Sequence, residues 1–295
     1  YRDLVVTGRT HMQAAQATTV GKRLATFGDE MIYAYSALDD LICRYPLRGM
    51  KGAIGTSQDM LDVLGGNGAS LEQLEGGLTE FLGFDETFIS VGQVYPRSLD
   101  YDVMSTLALL AAGPSNLATT LRLMSGIGLA TEGFVPGQVG SSAMPHKINP
   151  RTCERINGLN KILHGEVDMI SRLSGDQWYE GDVSCSVVRR VCLPGSFFAI
   201  DGLVESAFDV ISKIGFYPIL IEQELSYFLP FLSTTAFLMA ATRSGGERET
   251  FHEVIKEHAT AVEVLRRDGQ AKPLDLILRL ARDQRFPLGA EEMMA

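Results

Sequence analysis

The 295-residue chain is short of several things, and each shortage excludes a class of protein. It has four cysteines (Cys43, Cys153, Cys185 and Cys192) with no Cys-x-x-Cys pair, so neither a disulfide framework nor a cysteine-based zinc site is encoded, and a reducing cytoplasm fits best. It carries no excess of basic charge. Lys and Arg number 26 against 36 Asp and Glu, a net charge of −10, and phosphate-backbone binding needs the opposite balance. No run of about 18 uncharged apolar residues occurs, so no membrane span is expected. A Walker loop, a Rossmann fingerprint and a His-Glu-x-x-His pair are all missing; His252 and His258, six apart, fall on different faces of a helix. Alternating strand patterns are nearly lacking, and one tryptophan, Trp178, is all there is.

What remains is long helical periodicity. Thr18 and Thr19 offer N-caps to a helix running to about Arg44, with Leu24, Phe27, Met31, Tyr35, Leu38, Leu41 and Ile42 at three- and four-residue steps. Residues 1–17 before it read as an extended piece and loop. A short helix is expected near 58–64 and another over 71–82. Long helices follow over 99–129, 150–173 and 186–214, with kinks or breaks expected at Gly113-Pro114 and Pro194-Gly195. After Tyr217-Pro218 the pattern shortens to helices near 222–228, 234–244, 248–267 and 273–282. The expected architecture is all-α: a long-helix bundle over 1–217 and a smaller C-terminal helical domain over 218–295. The start at Tyr1, with neither initiator Met nor signal pattern, leads to the expectation of a fragment of a longer protein.

One loop organises the candidate chemistry. Gly133, Pro136, Gly137 and Gly140 break regular structure ahead of Ser141 and Ser142, and Asn149 and Pro150 suit the cap and first residue of the next helix. The N–H groups and dipole of that helix, with Lys147 beside them, are expected to face the loop as an anion site. A surface loop with an ordinary cap is the bland alternative. Because the overall charge is negative, an anionic substrate needs concentrated local cations, and Lys51, Lys147, Arg151, Arg155, Arg189 and Arg190 are the candidates.

The run Gly140-Ser141-Ser142-Ala143-Met144-Pro145-His146-Lys147-Ile148-Asn149-Pro150 resembles the signature loop of the fumarase/aspartase superfamily. Its Met-Pro-His-Lys is similar to that of adenylosuccinate lyases and of carboxymuconate cycloisomerases. Two further blocks resemble the adenylosuccinate lyase family: Thr10-His11-Met12-Gln13-Ala14-Ala15-Gln16-Ala17-Thr18-Thr19, and Gln177-Trp178-Tyr179-Glu180 followed by Ser186-Val187-Val188-Arg189-Arg190. Ala14 stands where the family often has proline, and Gly181 where some members carry a substrate-binding arginine.

The resemblance implies a β-elimination releasing fumarate from adenylosuccinate and from the succinylated aminoimidazole carboxamide ribotide, with no metal or organic cofactor. It implies Ser141 as the base and His11 as the acid toward the leaving nitrogen. Ser142 is implied as a hydrogen-bonding neighbour, Lys147 and Asn149 as carboxylate ligands, and Arg155 as a nucleotide contact with Glu154 orienting Lys147. Lys51 and Gln93 are implied as substrate contacts, and Ser186 and Arg190 as phosphate ligands. It further implies a cytoplasmic homotetramer whose sites are shared between subunits, acting on a phosphorylated succinyl nucleotide, without nucleic-acid or membrane partners. Since family members carry further site residues in segments that match nothing here, the chain alone is expected to be weakly active. The rivals are a carboxymuconate cycloisomerase, whose substrate has no phosphate, and a non-catalytic helical scaffold.

Overall fold

The structure is a computed structural model and describes residues 1–133, 144, 147–272 and 274–294. It is all-α apart from a few short strands, and it contains two compact units: residues 26–215, and residues 1–25 with 216–295. The first 25 residues thus cluster with the C-terminal part of the chain.

In the larger unit the helices are α1 (Val20–Arg44, entering this unit at Thr26), α2 (Gln58–Val63), α3 (Gly68–Phe81), α4 (Ser98–Gly126), α5 (Arg151–Ser171) and α6 (Ser184–Lys213). Thr19 caps α1 as its sequence predicts, its hydroxyl accepting the Lys22 N–H at 3.0 Å. Asn67 caps α3 through the N–H groups of Ala69 and Ser70. Helices α4, α5 and α6 pack against one another in antiparallel succession around Met104, Leu121, Ile156, Leu163, Ile170 and Leu203, all essentially inaccessible to water. A buried polar tie crosses this core: Asn157 on α5 donates to the Ser115 carbonyl at 2.8 Å and accepts from Arg122 at 2.8 Å. Every polar atom buried there without a partner would cost more than the bond is worth, so such a tie fixes helix register.

Neither expected break divides its helix. α4 runs through Gly113-Pro114, and α6 through Pro194-Gly195. In both places the glycine serves contact between helices. A Cβ on Gly113 would lie 2.7 Å from Met31 Cγ and 3.1 Å from the Phe27 carbonyl oxygen of α1; one on Gly195 would lie 2.1 Å from a Glu166 oxygen of α5. The buried Glu166 carboxylate accepts the Ser196 hydroxyl at 2.6 Å.

α6 presents a second apolar face. Val187, Val191, Phe198 and Phe208 are 60–77% exposed. By length and mean hydropathy (1.3) α6 is apolar enough to cross a membrane, as is the stretch Pro218–Arg243, which is the reverse of what the lack of an uncharged run suggests. However, Asp201 and Glu205 are exposed among those apolar residues, and carboxylates facing hydrocarbon are costly, whereas a protein partner accommodates them at a rim.

In the other unit, residues 1–19 are more ordered than the extended piece read from sequence. β1 (Val5–Thr10) and β2 (Gln13–Thr19) form an antiparallel hairpin, pairing Val5 with Thr19 and Thr10 with Gln13. The hairpin packs on α7 (Pro218–Leu232), and Arg9 pairs with Glu224 while lying over the Phe228 ring. Helices α8 (Thr234–Arg243), α9 (Arg248–Arg267), α10 (Asp275–Arg282) and α11 (Ala290–Met294) enclose a core of Phe237, Leu238, Phe251, Val254, Leu276 and Leu280.

Candidate active site

The antiparallel order of α4, α5 and α6 decides where the candidate residues fall. One end of the larger unit collects the loop after α1, the segment before α4, the residues between α5 and α6, and the first turns of α6. Four candidates lie there. Lys51 is 7% exposed and its ammonium is held by both Glu75 oxygens, at 2.6 and 2.7 Å. Gln93 is exposed, and its backbone N–H donates to the Glu180 carbonyl at 2.7 Å. Ser186 is half-buried and Arg190 exposed; four residues apart on α6, they share one face.

Three loops are locked together at this end. Arg48 donates to the carbonyls of Gly52 and Gly92 at 2.9 and 2.6 Å. A Cβ on Gly55 would lie 1.7 Å from the Val91 carbonyl oxygen, and one on Gly92 would lie 2.4 Å from that of Glu180. The Arg97 N–H reaches Gln177 Oε1 at 3.0 Å.

Adjacent arginines separate into two roles. Arg189 Nε donates to Asp100 at 2.7 Å and its Nη2 to the Tyr95 hydroxyl at 2.6 Å, while that hydroxyl donates to the other Asp100 oxygen at 2.7 Å. Burial and then the Asp100 carboxylate push the Tyr95 phenol well above its usual range. Burial works against the Arg189 charge, but Tyr95 and Asp100 more than offset it and raise its pKa. Buried Arg97 completes the cluster, its guanidinium 4.5 Å from the Tyr95 ring centroid and 3.5 Å from Asp100. Arg190 has no ion pair among the described residues, so its charge is open to an external anion. Asp100 and Tyr95 are not marked out by sequence; only their partner across 89 residues shows what they do.

Gly181 has φ +140° and lies with its would-be Cβ 3.0 Å from Val94 Cγ2. A side chain is strained there, so this loop is built for glycine.

The second group lies at the opposite end of the bundle. Lys147, Glu154 and Arg155 are exposed and Asn149 is half-buried, all around the start of α5. Here the structure corrects one expectation. The N-cap of α5 is Pro150 and not Asn149, and the buried Glu132 carboxylate accepts the Thr152 and Cys153 N–H groups at 2.9 and 2.8 Å. The positive end of the helix is therefore already occupied. Burial, and then Glu132, raise the Cys153 thiol far above its ordinary pKa, leaving it inert. Ser141, Ser142 and His146 lie outside the described residues.

His11 belongs to the other unit. It is exposed at the tip of the β1–β2 hairpin, where His11 and Met12 have φ of +50° and +65°. Positive φ at both central positions matches the two-residue turn that fits hairpin twist, normally made with Asn and Gly.

Comparison with known proteins follows the same lines. The sequence model of the family described as Lyase matches residues 1–163, more than half of the chain. The chain belongs to the Lyase family. It is 35% identical over 295 residues to adenylosuccinate lyase of Saccharomyces cerevisiae, covering 99% of this chain and 61% of that protein. It is 34% identical to the Schizosaccharomyces pombe adenylosuccinate lyase (87% of this chain, 53% of the relative) and 31% identical to that of Archaeoglobus fulgidus (88% and 57%). This Lyase-family chain thus spans less than two thirds of the length of those relatives. Among solved structures, a fumarate lyase from Mesorhizobium sp. BNC1 superposes with a TM-score of 0.79 at 19% identity, covering 99% of this chain and 62% of that one. The 3-carboxy-cis,cis-muconate lactonizing enzyme of Pseudomonas putida gives 0.79 at 18%, with the same coverage. At such identities the likeness establishes the fold, a helical bundle of the fumarate lyase type.

Proposed function

We propose that this chain provides the bundle of an adenylosuccinate lyase, cleaving adenylosuccinate to AMP and fumarate and, likewise, the succinylated aminoimidazole carboxamide ribotide. The observation that carries the reading is the division of labour between Arg189 and Arg190. Asp100 and Tyr95 engage the first, while the second is presented with Ser186 on one face of α6. A charge kept open beside a hydroxyl near a helix start suits a phosphate, and a carboxymuconate has none. The names of the relatives favour the same choice over the cycloisomerase.

In this reading Ser141 removes the proton next to a carboxylate and His11 protonates the departing nitrogen. Lys147 and Asn149 bind carboxylate oxygens, where positive charge counters that developing on the aci-carboxylate. Arg155 contacts the nucleotide, and Glu154 orients Lys147. Gln93 touches substrate directly. Lys51 does so only alongside Glu75, which already takes its charge.

These groups need more than one copy of the chain. α5 has 21 residues, about 30 Å at 1.5 Å per residue, and it separates Lys147 and Asn149 from Ser186 and Arg190 within one chain. A homotetramer packing the open α6 faces together brings opposite ends of different copies side by side. A cytoplasmic location is part of the same proposal, in keeping with four cysteines that form no disulfide framework.

The test is fumarate release followed by proton NMR, with adenylosuccinate as substrate and argininosuccinate and a carboxymuconate as controls. Release from adenylosuccinate alone is the expected result. Turnover of the carboxymuconate alone would overturn the proposal.

A further inference from the structure

In the turn that leads into α6, ahead of Ser186 and Arg190, stand two aromatic side chains that the larger unit does not bury. Trp178 is 63% exposed and Tyr179 88%, their rings in edge contact at 5.6 Å. Tyr179 has φ +51°, a left-handed conformation that is costly for a residue other than glycine. Strain of that kind in an ordinary surface turn is usually relieved by a glycine or asparagine.

The turn is nonetheless held firmly. The Glu180 carbonyl accepts the Gln93 N–H at 2.7 Å, and Gly92 lies against the Glu180 backbone with no room for a side chain. Gln177 Oε1 takes the Arg97 N–H at 3.0 Å. Further along, the Asp182 carboxylate accepts the Ser184 N–H at 2.5 Å where α6 begins. Ser186 follows within the same helical turn, and Arg190 one turn later. The turn that carries the two exposed rings is thus held at its backbone and leads directly into the helix that carries Ser186 and Arg190. Flat heterocycles stack on such faces, and stacking tolerates any base because each has a π-face.

We propose that Trp178 and Tyr179 form the platform for the heterocyclic base of the nucleotide whose phosphate is held by Ser186 and Arg190. The proposal rests on the phosphate assignment made above and adds the part of the ligand that assignment leaves open.

Trp178 is the sole tryptophan of the chain, so its emission reports on this turn alone. The protein is titrated with AMP and, separately, with ribose 5-phosphate, which keeps the phosphate and lacks the base; calorimetry reads binding and fluorescence reads the platform. The expected result is that both ligands bind, AMP more tightly, and that only AMP quenches the emission. Tyr179→Ala is expected to weaken AMP roughly 5- to 100-fold and to leave ribose 5-phosphate within about twofold. Tyr179→Gly suits a φ of +51° and is expected to be at least as stable as the wild type, so its loss of AMP affinity is not a folding defect.

Equal affinities for the two ligands with unchanged emission overturn the platform and leave the phosphate reading standing. Binding of neither ligand overturns both. A blue-shifted emission that acrylamide cannot quench in the free protein shows that a second copy already covers the rings, which also overturns the proposal.

Discussion

Replacing Glu132 by alanine removes a carboxylate that is 5% exposed and that accepts two N–H groups of the first turn of α5, at 2.9 and 2.8 Å. The Thr152 and Cys153 donors are then left without acceptors. A buried donor without a partner costs about 1–3 kcal/mol, a lost N-cap typically about 1, and the negative charge at the positive end of a helix adds several tenths more. These overlap, so the net local loss is about 3 kcal/mol. Glu132→Gln keeps one acceptor and loses the charge, for about half of that. At 1.4 kcal/mol per decade, 3 kcal/mol is roughly a hundredfold rise in the opening constant of the first turn. Amide hydrogen exchange at Thr152 and Cys153 measures that opening directly. Cys153, wholly inaccessible, provides a second readout: its labelling by a thiol reagent should accelerate, while exposed Cys43 reacts at an unchanged rate as an internal control. Exchange in the alanine variant within threefold of wild type would show that water or another group caps α5, and would refute the reasoning.

Asp100→Asn leaves Arg97 and Arg189 facing each other across Tyr95 without their shared carboxylate; breaking a buried pair in this way costs about 3–5 kcal/mol, read by urea denaturation, and an effect under about 1 kcal/mol would contradict it. In the active protein, Ser141→Ala should lower kcat by roughly 10²–10⁴, and retention of half the wild-type rate removes Ser141 as base. Gly181→Arg should destabilise by about 1–3 kcal/mol and gain no phosphate affinity, since φ is +140° there; a gain in affinity would show that the loop readily re-forms around a side chain. The Arg285 guanidinium first, then His258, hold the Asp283 carboxyl well below its usual pKa. A depressed folded pKa stabilises above the unfolded value of about 3.9 and is lost as pH falls below it, so Asp283→Asn should flatten the acid limb of a stability profile below about pH 4 and leave that limb unchanged only if this clasp is irrelevant.

Much of this structure is legible in the residues, and the parts that are not share a cause. Thr19 caps α1 because that contact is local, within three residues of the cap, whereas α3 begins at Gly68 under an Asn67 cap, three residues before the expected start at 71. The long helices follow from periodic apolar positions. By contrast, Gly113-Pro114 and Pro194-Gly195 look like breaks, whereas each glycine makes room for a group on another helix, which no single-segment pattern encodes. The sequence points to Asn149 as the cap of α5, whereas Glu132, 20 residues from the donor it serves, satisfies its first turn. The hairpin was missed because its turn is His11-Met12, without the Asn-Gly signal that marks such turns. Arg189 and Arg190 are alike in sequence; only the bond to Asp100 tells the engaged one from the open one.

The bundle sets Lys147 and Arg190 at opposite ends of a helix pair, and this has a genetic consequence. Where sites are assembled from several copies, a lesion at Lys147 and a lesion at Arg190 disable each homogeneous population completely. Mixed assemblies, formed by co-expressing the two variants, contain some sites that draw the intact Lys147 from one chain and the intact Arg190 from the other. Two silent alleles should therefore rescue each other, while two lesions at the same end should not. The pattern of rescue among paired variants then maps which residues meet across chains, without any view of the assembled protein.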